Sequence, residues 1–78
     1  MQEVYLIISQ YQGRSKVHGV CTKEKACEQF NIIDSCKPDY LIREQKFPFN
    51  VKFYELDEDG TKNLIEHLYI EKRYICGS

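Results

Sequence analysis

The sequence predicts a small α+β domain, in which one helix packs on an antiparallel sheet with a ββαββ core. Three observations lead to this class. Residues 4–8 form an apolar run rich in strand-forming side chains, and a polar turn at Gly13 separates it from a second apolar segment. A helical pattern begins after Thr22, and two more strand-like segments follow the helix. At 78 residues the chain is predicted to be a single domain, 1–78.

The first two strands are predicted at residues 4–11 and 16–21, joined by a loop in which Gly13 can adopt a positive φ. Side chains of a strand alternate between its two faces, and in the first strand both faces are apolar. One face carries Val4, Leu6 and Ile8, and the other carries Tyr5, Ile7 and Tyr11. In the second strand Val17 and Cys21 are expected on one side, with His18 and Val20 on the other.

The helix is predicted to begin at an N-cap formed by Thr22 and to bury a stripe of Ala26, Phe30 and Ile33. Pro38 ends it, because the residue before a proline is pushed away from helical geometry. Third and fourth strands are predicted at residues 40–46 and 51–56, separated by a break at residues 47–50.

The C-terminal segment, residues 62–70, is compatible with two structures. A turn at residues 57–60 would make it a fifth strand. A helical stripe of apolar side chains favours a second helix instead, and we expect the helix; the stripe consists of Leu64, Ile65, Leu68 and Tyr69.

Composition limits the classes of partner. Eleven Lys and Arg residues against 12 Asp and Glu give a net charge of −1, so there is no bulk attraction to nucleic acid or to an anionic membrane. With neither a secretory pattern nor an apolar stretch of membrane-spanning length, we expect a cytoplasmic protein without a membrane partner. Its cysteines are then expected to be reduced thiols; they are Cys21, Cys27, Cys36 and Cys76.

No catalytic, metal or cofactor motif is recognisable. Structural zinc sites use close cysteine pairs, which the sequence does not contain, and on a regular strand His18 and Cys21 would point to opposite faces. Nothing in the sequence places a cysteine beside His67 as nucleophile and base. The glycines are isolated and form no phosphate-binding loop. We therefore expect a non-enzymatic protein with no metal and no cofactor.

The first strand suggests an interaction surface, because a helix covers only one face of a sheet. We expect the helix to cover Val4, Leu6 and Ile8. The other face must then be closed by the C-terminal segment, by a second copy in a homodimer, or by another protein, and edge strands offer a further route to pairing. The candidate interface residues are Tyr5, Ile7, Tyr11, Arg14 and Lys16.

Nucleic-acid binding is the alternative function. Exposed rings on a sheet can stack single-stranded bases, and Tyr5, Tyr11 and Tyr40 are the candidates. Such surfaces also need a basic groove, and the sequence has only isolated basic pairs near these rings. A protein partner is therefore favoured over nucleic acid, with a structural, self-associating domain as a second alternative.

The first half of the chain resembles small strand-strand-helix-strand proteins of bacterial phages and mobile elements. The resemblance rests on three short segments, residues 4–7, 19–20 and 22–26. It implies a protein that binds a host protein and inhibits or modulates it. The segment from Phe47 onward takes no part in the resemblance, and no functional residue is carried over from it.

Overall fold

A computed structural model describes residues 2–76; residues 1, 77 and 78 of the predicted single domain lie outside the described residues. Five strands and one helix follow in the order ββαβββ, which confirms the predicted α+β class. The elements are β1 (Gln2–Tyr11), β2 (Arg14–Cys21), α1 (Lys23–Ser35), β3 (Ile42–Phe47), β4 (Asn50–Leu56) and β5 (Lys62–Ile75).

The sheet has the strand order β2-β1-β5-β4-β3, and all neighbouring strands are antiparallel. Its centre is β5, a strand of 14 residues. The N-terminal half of β5 pairs with β4 and its C-terminal half pairs with β1, so β1 and β4 are offset along it. This diagonal arrangement makes the molecule elongated, with extents of 55 × 23 × 19 Å.

The C-terminal segment is a strand, so the expected second helix is wrong. A turn closed by hydrogen bonds between Asp57 and Thr61 and between Gly60 and Asp57 leads into β5. Leu68 of β5 is fully buried and Ile70 packs beside the same core, at the spacing of two that a strand requires. Long-range pairing decides the structure here, because β1 and β4, which pair with β2 and β3 on one side, obtain a hydrogen-bonded neighbour on the other side only if β5 lies between them.

Thr22 caps α1 as predicted, its Oγ1 accepting a hydrogen bond from the backbone N–H of Lys25 at 3.4 Å. Phe30 is buried in the centre of α1 and meets the Phe49 ring edge-on, with 5.4 Å between ring centroids. The predicted anchor role of Phe30 is therefore confirmed. The core beneath α1 consists of Ile7, Ala26, Phe30, Val51, Phe53 and Leu68.

The helix covers the opposite face of β1 from the one expected. Ile7 lies in the core under α1 and Tyr5 packs against it, so the expectation that α1 covers Val4, Leu6 and Ile8 is wrong. Alternation assigns the side chains of β1 to two faces, but it cannot show which face the helix covers, because both faces are apolar. The neighbouring strand supplies a reason. The residues of β2 opposite Tyr5 and Ile7 are small and leave room for a helix. Valines stand opposite Leu6 and Ile8 on the other face.

Candidate functional site

The face of the sheet opposite α1 has no covering element among the described residues. Across β1 and β2 it carries a cluster in which Leu6 pairs with Val20 and Ile8 pairs with Val17. Val17 and Val20 are 50% and 59% exposed, whereas Ile8 between its neighbours is 5% exposed. We call this cluster the valine patch; it consists of Val4, Leu6, Ile8, Val17 and Val20.

A bulge in β2 creates the valine patch. The register between β1 and β2 shifts between Ile7 and Ile8. Ile7 stands opposite Gly19, but the next residue, Ile8, stands opposite Val17, so one residue of β2 is passed over. Val17 and Val20 consequently share a face although three positions separate them. The expectation that they lie on opposite sides is wrong, because it assumed an uninterrupted strand.

A polar band crosses the middle of the uncovered face. Gln10 Nε2 donates a hydrogen bond to Tyr69 Oη at 3.2 Å, and His67 Nε2 lies 2.7 Å from Asn50 Oδ1. The rings of His67 and Tyr69 are tilted against each other with centroids 4.7 Å apart. Burial, and then the positive charge of Lys52, lower the pKa of His67. The lowered pKa favours the neutral ring at pH 7, and the tautomer with its proton on Nε2 donates to the Asn50 amide oxygen.

Most charges on the uncovered face are neutralised locally. Glu44 lies 3.7 Å from Lys46 Nζ and 3.6 Å from Lys62 Nζ, and Arg73 pairs with Glu71 at 2.8 Å. These pairs are exposed or half-exposed, so each adds little to stability. Their effect is to leave this part of the face without a strong field of either sign.

The two edge strands are poor templates for strand addition. Edge strand β2 carries the bulge and Lys16, and β3 has an irregularity between Gln45 and Phe47 with Lys46 at that position. Bulges and lysines are features that prevent an edge from pairing with another chain. The uncovered face is therefore a better candidate interaction surface than either edge.

The predicted interface residues are divided between two places. Ile7, at 1% exposure, belongs to the core and cannot touch a partner, and Tyr5 is half-buried against that core. Tyr11, Arg14 and Lys16 are exposed at the end of the β1–β2 hairpin. Periodicity offers no reason to choose the valine patch, since that choice depends on which face α1 covers and on the bulge.

The rings proposed for base stacking do not form one platform. Tyr5 lies on the helix-covered face, whereas Tyr11 stands at the hairpin end. Tyr40, which is 72% exposed, lies in the turn between α1 and β3. Nucleic-acid binding through these three residues therefore lacks a common surface.

Thiols and metals add no further site. The four cysteines are free; Cys21 and Cys27 are half-buried and Cys36 and Cys76 are exposed. Among residues 2–76 no three His, Cys, Asp or Glu side chains are grouped so that they could hold a metal ion. In the same part of the chain no helix is long and apolar enough to cross a membrane.

No protein-family model matches the chain, and neither a curated protein nor a solved structure matches it.

Proposed function

We propose that this chain is a non-catalytic binding protein that engages another bacterial protein through the valine patch and thereby inhibits or modulates it. The observation that carries the proposal is the exposure of Val17 and Val20 beside Leu6 and Val4 on a face that nothing described covers. Contiguous apolar patches on a small protein mark interaction sites. The similarity of the first half of the chain to phage and mobile-element proteins adds the expectation of a host protein as target.

A protein partner fits this face better than nucleic acid does. Stacking of single strands needs exposed rings above a basic groove. The valine patch contains neither, and Lys46, Lys62 and Arg73 on the rest of the face are paired with carboxylates. Apolar side chains of another protein would bury Val17 and Val20, and that burial supplies the driving force.

The test compares two variants that make exposed apolar side chains polar on opposite sides of the molecule. In the first, Val17 and Val20 are both changed to Thr, which keeps a β-branched shape in β2. The matched control is Ile32→Thr on α1, where Ile32 is 54% exposed away from the valine patch. Each tagged protein is used to capture partners from a nuclease-treated bacterial lysate, and the captured protein is then titrated with each variant.

Binding of one protein by the unchanged chain and by Ile32→Thr, with an affinity about tenfold or more weaker for the double variant, supports the proposal. Equal binding by all three would exclude the valine patch. Capture that disappears only after nuclease treatment would support a nucleic-acid regulator instead. Sedimentation of the purified chain addresses self-association, since a dimer that the double variant abolishes would make a second copy the partner.

A further inference from the structure

A concavity of about 410 Å³ lies at the end of the β1–β2 hairpin, next to the valine patch. Gln10 and Ser15, which line it, are paired across the hairpin two positions beyond Ile8 and its partner Val17. The pocket therefore begins about 7 Å from the valine patch along the strands. We call it the cationic pocket; its principal polar side chains are Gln10, Arg14, Ser15, Lys52 and His67.

The charge of this pocket is unbalanced. No Asp or Glu is among the described residues that line it, whereas Arg14 and Lys52 both do so. Within residues 2–76 neither of these cations has a carboxylate within ion-pair distance. Lys52 stands opposite Glu44 in the β3–β4 register, but that carboxylate is shared by Lys46 and Lys62.

Lys52 is half-buried, and its ammonium group has no carboxylate partner among the residues that line the pocket. An ammonium group is stabilised by an opposite charge placed within a few ångströms. Arg14 adds a planar fork of donors suited to two oxygens at once. The lowered pKa of His67 favours its neutral ring at pH 7, and its Nε2 is turned to Asn50, so Arg14 and Lys52 supply the positive charge of the pocket.

We propose that the cationic pocket binds the carboxylate of an acidic side chain on the protein partner. This inference rests on the proposed function and names the chemistry of the partner: an apolar segment with an Asp or Glu at its end. Arg14 and Lys52 are two unpaired cations in one pocket beside an apolar patch, and this arrangement fits one such side chain. A nucleic-acid backbone would need cations repeated along a track.

A second copy of the chain is a poorer occupant than an acidic partner. Placing two uncovered faces against each other would bring the unpaired Arg14 and Lys52 of both copies to one interface. Like charges in a desolvated interface oppose association. The partner surface is therefore expected to be acidic where it meets this end of the sheet.

The experiment uses the full ¹⁵N-labelled chain and three probes at the same millimolar concentration. The first probe is a blocked peptide of alternating leucine and glutamate, and the second is the matched peptide of leucine and glutamine. Inorganic phosphate is the third. We expect the glutamate peptide to shift the signals of Arg14, Ser15 and His67, and Lys52→Gln to weaken its binding about tenfold. Lys23→Gln on α1, an equal change of net charge, should alter binding by less than about twofold.

The pocket proposal fails if both peptides shift the signals equally or if the glutamate peptide shifts none. It also fails if Lys52→Gln and Lys23→Gln weaken binding of the glutamate peptide equally. Phosphate shifting these signals while the glutamate peptide does not would overturn the carboxylate assignment. The captured protein separates this inference from the proposed function. If substitution of Val17 and Val20 abolishes its binding while Lys52→Gln leaves it unchanged, the valine patch stands and the pocket proposal fails.

Discussion

The two faces of this sheet carry similar apolar side chains in different surroundings. On one face α1 covers Ile7, Val51 and Leu68 so fully that each is at most 1% exposed. On the other face Val17 and Val20 keep half or more of their surface in contact with solvent. Polar groups differ as well, because Lys37 and Glu66 form a largely shielded pair near α1 whereas Arg73 and Glu71 pair on the open side.

The comparison separates what folds the chain from what is available for binding. Burial under α1 removes apolar surface from water and supplies most of the stability of so short a chain. The exposed apolar side chains of the open face, Val17 and Val20, contribute little until a partner covers them. Substitutions on the covered face should therefore lower the free energy of unfolding, and substitutions on the open face should lower affinity instead.

The largest effect is expected from Phe30→Ala. Phe30 is 2% exposed and fills the space between α1 and Phe49, so truncation removes a large buried ring and leaves a cavity. The free energy of unfolding should fall by about 3–5 kcal/mol, which is enough to unfold a domain of this size. Urea denaturation measures it. The control Ile32→Ala, on the exposed side of α1, should stay within about 0.5 kcal/mol, and equal losses would contradict the covered core.

One substitution made on both faces sharpens the comparison. Val51→Thr places a hydroxyl in the core at a fully buried position, and the free energy of unfolding should fall by about 1–3 kcal/mol. Val20→Thr places the same hydroxyl in solvent and should change it by less than about 0.5 kcal/mol. Thermal unfolding of both variants is the measurement. If Val20→Thr lowered the free energy of unfolding by more than about 0.5 kcal/mol, the uncovered face would be buried in solution, as in a homodimer.

The sequence predicted an element correctly where its local features were compatible with one kind of secondary structure only. A cap, a stripe and a proline identify α1, and a turn glycine identifies the first hairpin. The C-terminal segment was misassigned because its apolar residues fit both periods, and only pairing with β1 and β4 decides between them.

The candidate site depends on two facts that periodicity does not contain. The first is which of two apolar faces receives the helix, and the second is a bulge that brings Val17 and Val20 together. Tyr11 was predicted from the alternation of the first strand and Arg14 from the hairpin tip, and both line the cationic pocket. Lys52 was missed, because its lack of a carboxylate partner is visible only in three dimensions.

Removing one partner of an ion pair should also lower the free energy of unfolding more on the covered face than on the open face. The difference should be smaller than that between the two valine substitutions. Lys37 Nζ lies 2.7 Å from Glu66 Oε1, and Glu66 Oε2 is buried with no hydrogen-bond partner among the described residues. Lys37→Met would leave this carboxylate shielded and unpaired, so we expect a loss of about 1–2 kcal/mol. Arg73→Met at the open-face pair should cost less than about 1 kcal/mol. Equal values in urea denaturation would show that solvent reaches Glu66 freely.

The smallest effect is a pH dependence in which the two histidines act together. Burial is the largest cause of the lowered pKa of both His18 and His67, and nearby Lys16 and Lys52 respectively lower it further. The unfolded chain, with an ordinary histidine pKa of about 6.5, then binds more protons than the folded chain just below that pH. Stability should therefore be constant above pH 7 and fall as the pH drops through 6.5.

A double variant with Gln in place of His18 and His67 tests this origin, since the decrease in unfolding temperature between pH 7 and pH 5.5 should become smaller. Asp59 does not interfere in this window. The Thr61 backbone N–H lowers the pKa of its carboxyl, so the stability it contributes is lost only at more acidic pH. A decrease that persists unchanged in the double variant would assign it to other carboxylates. A glutamate-bearing ligand in the cationic pocket should reduce the decrease, because a negative charge beside His67 raises the pKa of its ring.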